Sequence, residues 1–337
     1  MYYLEAHKPG RGSAGPVTEI TAEDMPKEEK SRKFPAAKEL AGIQGFINTD
    51  NLKLSDLVGQ QVILVDFWTY SCINCQRTLP YLNAWHKKYA DQGLTIVGVH
   101  TPEFAFEQKQ ENVQAAVDKY AIKYPVVLDN EYATWQAYGN RYWPRKYLID
   151  IDGYIVYDHI GEGAYEETEQ KIQELLQERA ERLQTNQLIN QEISRPAAIS
   201  RSEGVNSPEV YFGANRNEFL GNGAARQRGT QSFAAPADTP LNQLFLDGQW
   251  DIQPEYATNL TAPAKIRFRY QAKEVYMVAS AEEPVKVAIT QDGQPVGQIT
   301  IKADQLYTLM SNPAAGEHTL ELVAESPGLK AFTFTFG

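Results

Sequence analysis

The sequence predicts an α/β domain followed by an all-β sandwich, and three observations predict it. Between residues 61 and 183, continuous apolar runs alternate with stretches of helical periodicity, as in a sheet built from βαβ units. After about residue 186 the composition turns to Gly, Ala, Ser, Asn, Gln and Pro, and short alternating segments then follow one another, the pattern of a sandwich. The length of 337 residues also exceeds one typical domain, and 42% hydrophobic and 11% aromatic residues are ample for two packed cores. The boundaries read as a flexible polar arm over 1–38, the α/β domain over 39–186, and a linker with the sandwich over 187–337.

Gln61 to Trp68 (QVILVDFW) is a continuous apolar run, as expected of a strand buried on both faces. Leu79, Leu82, Trp85, His86 and Tyr89 then recur at spacings of three and four, which is one helix face, with Pro80 expected to kink it. Gly93 ends that helix. Leu94 to His100 is a second buried strand. Phe104 to Tyr120 reads as one helix, Tyr124 to Asp129 as a third strand and Ala133 to Tyr138 as a short helix. Lys146 to Asp150 and Tyr154 to His159 form a hairpin around Asp152-Gly153, and Glu166 to Leu183 is helical. In the second half, residues 266–270, 274–280, 285–290, 297–300, 318–324 and 330–336 alternate as short strands separated by Gly and Pro.

A net charge of −11 argues against nucleic acid as a partner, because phosphate binding needs a basic face. It disfavours a polybasic membrane-surface mode as well. No run of about 18 apolar residues is present, and the first residues lack the apolar core of a signal peptide. The chain therefore reads as soluble, either cytosolic or an excised portion of something longer.

Cys72 and Cys75 are the only two cysteines. A structural disulfide stabilises more as the loop it closes lengthens, and a bridge between these two closes almost nothing. The pair reads as chemistry. A helix N-terminus carries free N–H groups and about half a positive charge, which favours a thiolate at the first cysteine. The second lies one turn in, placed to attack a mixed disulfide. Cys72 is thus the expected nucleophile and Cys75 the resolving thiol, cycling through a Cys72–Cys75 disulfide.

The surrounding residues sharpen this. VDFW, three further residues and then CxxC resemble the thioredoxin active-site segment, with Ile73-Asn74 between the cysteines. The resemblance implies that Asp66 is the family's buried aspartate, which relays a proton for the resolving cysteine. A carboxyl group inside an apolar strand should have a raised pKa, suited to that task; the rival reading is a structural Asp at a strand end. The resemblance also implies that Pro144 is the cis-proline facing the cysteines and that Trp143 offers its backbone to an extended substrate. FWTYSCINC, GVHTPEFAFE and NRYWPRKYLIDIDG look like the redox domain of DipZ-type proteins. SPEVYFGANR, LDGQW and AFTFTFG resemble that family's second domain, a carbohydrate-binding-module-like sandwich. The family implies an extracytoplasmic setting, periplasmic or cell-surface, and a membrane or soluble electron donor.

Rival chemistries fit less well. Thr69 and Cys72 form the TxxC of a peroxiredoxin, but Val65 stands where that family's proline is expected, and a resolving cysteine three residues away is atypical. Zinc needs four ligands and CxxC supplies two. A c-type haem needs His after the second cysteine, where this chain has Gln76. No metal and no cofactor are expected. His100, Glu103 and Glu107 could tune the cysteines, but they read more simply as a solvated strand end and a helix first turn. Tyr211, Phe212, Trp250 and Tyr256 could stack a carbohydrate, although core packing is the favoured reading. The expected activity is thiol–disulfide exchange on protein substrates as a reductase or isomerase, with a lean towards reduction over strong oxidation because Ile73-Asn74 lacks a basic or histidine residue to stabilise a very acidic thiolate. The alternative is a carbohydrate- or protein-binding module with an accessory redox domain.

Overall fold

The computed structural model describes residues 27–197, 204–236 and 238–337, and the chain divides into two compact units, Met1–Ile199 and Ser200–Gly337. In the first unit a six-stranded sheet is built from β1 (Gly45–Ile47), β2 (Val62–Trp68), β3 (Leu94–His100), β4 (Val126–Leu128), β5 (Arg145–Ile149) and β6 (Ile155–Ile160). The order is β1-β4-β3-β2-β5-β6. β2, β3 and β4 run parallel, whereas β5 lies antiparallel to β2 and leads into the β5–β6 hairpin. Every residue of β2 is buried, which is why the stretch is apolar throughout. The helices are α1 (Lys27–Lys33), α2 (Ile73–Tyr89), α3 (Gln110–Lys119), α4 (Ala133–Ala137) and α5 (Tyr165–Arg182). Leu79, Leu82, Trp85 and Tyr89 form the buried face of α2, and the helix continues through Pro80.

The stretch read as one helix over 104–120 is a 3-10 turn, Ala105–Gln108, followed by α3. The break has a local cause: Glu107 folds back to accept the backbone N–H groups of Glu103 and Phe104. β1 was not expected, because three residues are too few to show a period.

The N-terminal arm differs most from expectation. Its residues 1–26 lie outside the described residues, but from Lys27 onward the chain packs on the first unit. Lys30 is fully buried, and its ammonium donates to Asp150 at 2.8 Å, Glu178 at 2.5 Å and Asp152 at 3.3 Å. Burial works against its charge, but the hydrogen bonds to Asp150 and Glu178 outweigh burial and hold its pKa above the ordinary lysine value. Ala37 then donates to the Gly153 carbonyl at 2.9 Å. A buried ion group is costly to leave half-made, so Lys30→Ala should lower unfolding stability by roughly 3–5 kcal/mol, read as a fall in the urea midpoint; Lys30→Arg should recover part of it.

The far end of this unit also extends past the expected boundary at 186. Residues 187–195 lie along α2 and α5: Tyr89 donates to the Asn190 carbonyl at 3.2 Å, and Ser194 donates to Glu169 through its amide and its hydroxyl, both at 2.7 Å. The polar composition that reads as a linker is used here for hydrogen bonding.

The second unit is a nine-stranded antiparallel sheet of β7 (Val210–Tyr211), β8 (Gly229–Phe233), β9 (Leu244–Ile252), β10 (Ala257–Asn259), β11 (Ala264–Ser280), β12 (Val285–Gln291), β13 (Gln294–Ile301), β14 (Gln305–Ala324) and β15 (Lys330–Phe336). β11 changes neighbours along its length. Both halves pair with β14, but Lys265–Phe268 also pairs with β9, whereas Val275–Ser280 also pairs with β15. The segments read as separate strands at 266–270 and 274–280 are this one strand, with a register shift between Ala272 and Glu274. Across that shift the Ser-Asn-Pro-Ala-Ala-Gly run of β14, which reads as a turn, bulges while pairing resumes on either side. Trp250, Phe268, Tyr270 and Phe334 are among the side chains filling the core.

Candidate active site

β2, a central strand of the sheet, ends at Trp68, and Thr69, Tyr70 and Ser71 turn the chain into α2. Cys72 is the N-cap of that helix, with extended backbone (φ −80°, ψ 119°), as an N-cap residue requires. Its Sγ accepts the N–H of Cys75 at 3.3 Å. Both cysteines are free thiols; Cys72 is partly exposed and Cys75 is buried. Burial pushes the Cys75 thiol well up, and the adjoining Cys72 sulfur pushes it further. The two sulfurs are therefore unequal: one reachable from solvent at a helix start, the other enclosed beneath it.

The Trp143–Pro144 peptide is cis. The Trp143 carbonyl oxygen lies 4.0 Å from Cys72 Sγ and accepts its S–H. Trp143 is held from two sides: its indole N–H donates to the Thr101 carbonyl at 3.0 Å, and its ring packs on Trp135 with centroids 4.3 Å apart. The Pro144 carbonyl accepts from Gly161 at 2.8 Å, which ties the proline to the end of β6.

Asp66 sits in the middle of β2, 1% exposed, and its Oδ1 has no hydrogen-bond partner among the described residues. Burial raises its pKa to about 7, against the opposing pull of the Lys146 ammonium. Lys146 is its antiparallel partner on β5. It too is buried, with its pKa lowered chiefly by burial, and it donates to the Gly161 carbonyl at 3.1 Å. Asp66 also acts electrostatically on Cys75. The acid, the cation and the enclosed thiol thus share one desolvated region behind the exposed sulfur.

The five residues singled out in the sequence, Asp66, Cys72, Cys75, Trp143 and Pro144, come together around the C-terminal half of β2. Lys146 was missed, since a lysine at a strand start reads as solvated and its register against Asp66 is a tertiary fact. His100 and Glu107, read as solvated, are fully buried; burial lowers the His100 pKa to about 3, so its ring is neutral. The polar sequence around them hides that Glu107 replaces water with protein donors, whereas the His100 Nδ1 is buried with no hydrogen-bond partner among the described residues. In the second unit, Phe212 and Trp250 belong to the core. The Tyr211 hydroxyl donates to Glu209 while Arg216 covers its ring at 3.7 Å from the centroid. Tyr256 packs on Phe332 with centroids 5.1 Å apart.

A free thiol on a helix start, a second thiol enclosed one turn in and a cis-proline against the first define the thioredoxin-like class of thiol–disulfide oxidoreductases. Comparison with known proteins agrees. The family described as AhpC/TSA matches residues 33–158, and the one described as Thioredoxin like C-terminal domain matches residues 207–337. The chain is 33% identical over 128 residues to the thiol-disulfide oxidoreductase ResA of Bacillus thuringiensis, covering 37% of this chain and 70% of that protein. It is 37% identical over 306 residues to Protein DipZ of Mycobacterium bovis, covering 89% of this chain and 43% of DipZ. Among solved structures, a putative thiol:disulfide interchange protein DsbE from Chlorobium tepidum aligns at 28% identity and a TM-score of 0.38, over 42% of this chain and 96% of that one. The chain belongs to the thioredoxin-like thiol–disulfide oxidoreductases, and over most of its length it is similar to DipZ. It spans less than half the length of the DipZ relatives it matches.

Proposed function

We propose that the chain exchanges disulfides with protein substrates, acting chiefly as a reductase. The Cys72 thiolate attacks a substrate disulfide, forming a mixed disulfide and expelling one substrate thiolate. Cys75 gives its proton to the Asp66 carboxylate and attacks Cys72 Sγ. That step forms the Cys72–Cys75 disulfide and expels the second substrate thiolate. A dithiol donor, membrane-bound or soluble, then returns two electrons to the pair. Trp143 and Pro144 dock an extended substrate backbone beside Cys72, where the Trp143 carbonyl already lies. The observation that carries this reading is the inequality of the two thiols beside a buried carboxyl group whose Oδ1 has no hydrogen-bond partner among the described residues. The partner Cys75, one turn away, also favours exchange over peroxidase chemistry. The proposed setting is extracytoplasmic, as the DipZ resemblance implies; among the described residues no helix is long and apolar enough to cross a membrane.

The test is reduction of insulin by the pre-reduced protein, with the potential of the pair measured alongside. Activity lost in Cys72→Ser and a potential near that of reducing thioredoxins are expected. Absence of turnover in the intact chain, or a strongly oxidising potential, would overturn the reading.

Lys146 gives a second expectation. Its ammonium draws the Asp66 pKa down against burial, so Lys146→Met should drive that pKa higher. Resolution needs ionised Asp66, so its pH midpoint should rise by about one unit or more, while attack by Cys72 keeps its rate. Stopped-flow decay of a preformed mixed disulfide from pH 6 to 9 reads the shift.

A further inference from the structure

Glu107 lies on the 3-10 turn after β3 and is fully buried. Its two oxygens serve different loops. Oε1 accepts the Ser71 amide at 3.2 Å and the Ser71 hydroxyl at 2.6 Å. Oε2 accepts the amides of Glu103 at 2.6 Å and Phe104 at 3.1 Å. Beside it, the Thr69 hydroxyl contacts His100 Nε2 at 3.5 Å. Burial raises the pKa of the Glu107 carboxyl group, and the donors around it act against that rise.

What they hold bears on the chemistry. Ser71 immediately precedes Cys72, and residues 69–71 carry the chain from β2 to the head of α2. The other loop, 101–108, accepts the Trp143 indole through the Thr101 carbonyl. One enclosed carboxylate thereby ties the segment bearing the nucleophile to the loop that seats the substrate-docking tryptophan. With no exposure, it cannot itself touch a substrate.

We propose that Glu107 is a positioning residue for the nucleophile: it anchors Ser71 so that Cys72 occupies the N-cap of α2, with Sγ on the Cys75 N–H and beside the Trp143 carbonyl. This rests on the reading that Cys72 attacks. It adds a residue on a different loop, distant in sequence from the cysteines, on which that attack depends.

The test uses the full chain, reduced and folded. Iodoacetamide alkylation of each cysteine at pH 7 is followed by peptide mass, and thermal midpoints are recorded in parallel. In Glu107→Gln the carboxamide has one acceptor and turns an NH2 group towards donors. The Cys72 rate per folded molecule should fall about tenfold, the loss of roughly one charge-assisted hydrogen bond. Ser71→Ala removes only the hydroxyl and should slow Cys72 about threefold, and the double variant should be no slower than Glu107→Gln, because both act through one contact. If Glu107→Gln fails to fold, Ser71→Ala carries the test. Cys72 rates equal to wild type in the folded variants, with only the midpoint lowered, would reduce Glu107 to a structural role and overturn the proposal. A faster Cys72 in Glu107→Gln would overturn it too, since the carboxylate would then act as a buried charge opposing the thiolate. The underlying reading fails separately: in that case Cys75, not Cys72, is the faster thiol in the unaltered protein.

Discussion

Cys75→Ser should accumulate as a covalent mixed disulfide with its substrate, whereas Cys72→Ser should fall to the background rate of exchange. The reason is the difference in access. Cys72 is partly open at the helix start, and Cys75 is enclosed, with its thiol pushed up by burial. A serine at 75 leaves attack intact but removes the group that expels the substrate. A serine at 72 leaves a thiol that no substrate disulfide can reach. Non-reducing gels and mass spectrometry of variants exposed to a protein disulfide read both outcomes, and the trapped partners identify substrates. Trapping by Cys72→Ser in place of Cys75→Ser would reverse the two roles.

Asp66→Asn should slow resolution of the mixed disulfide about a hundredfold near neutral pH, the usual scale for loss of a positioned base, with little change in attack. Its effect on stability has the opposite sign. The folded pKa of about 7 lies above the ordinary 3.8, so between those values the folded state holds a proton that the unfolded state has lost. Stability from this group is fully present below pH 3.8 and falls as pH rises, the loss complete once pH passes 7. Asparagine mimics the protonated acid at every pH. The variant should therefore be the more stable protein at pH 8, by a few kcal/mol in order of magnitude, and equal to wild type near pH 3. Paired denaturation curves at the two values check this. An advantage independent of pH would mean that Asp66 does not titrate inside the fold.

Much of the redox unit was legible from residues alone. β2 and β3 are apolar because both their faces are covered, so a run such as VILVDFW has one reading. The cysteine spacing and the proline before the hairpin carried the site. What escaped was polar. Lys30, Lys146 and Glu107 are charged residues in ordinary surroundings, and a charge reads as solvated until its partners are known. Lys30 meets Asp150 and Glu178 across more than a hundred residues, and Glu107 meets Ser71 across 36. Such pairings leave no local period. The same holds for the Pro- and Gly-containing stretch of β14, where long-range pairing with β11 overrides turn chemistry.

The double role of β11 bears on how the second unit breathes. Along most of its length β11 is flanked on both sides, and it exchanges one neighbour for another halfway without leaving the sheet. Its amides have no local opening available to them, and deuterium should enter only when the whole unit comes apart. β13 pairs with β12 alone and is exposed over most of its residues, so it can peel away while the rest stays shut. Labelling over time should then resolve a slow central spine from a fast rim within one continuous sheet.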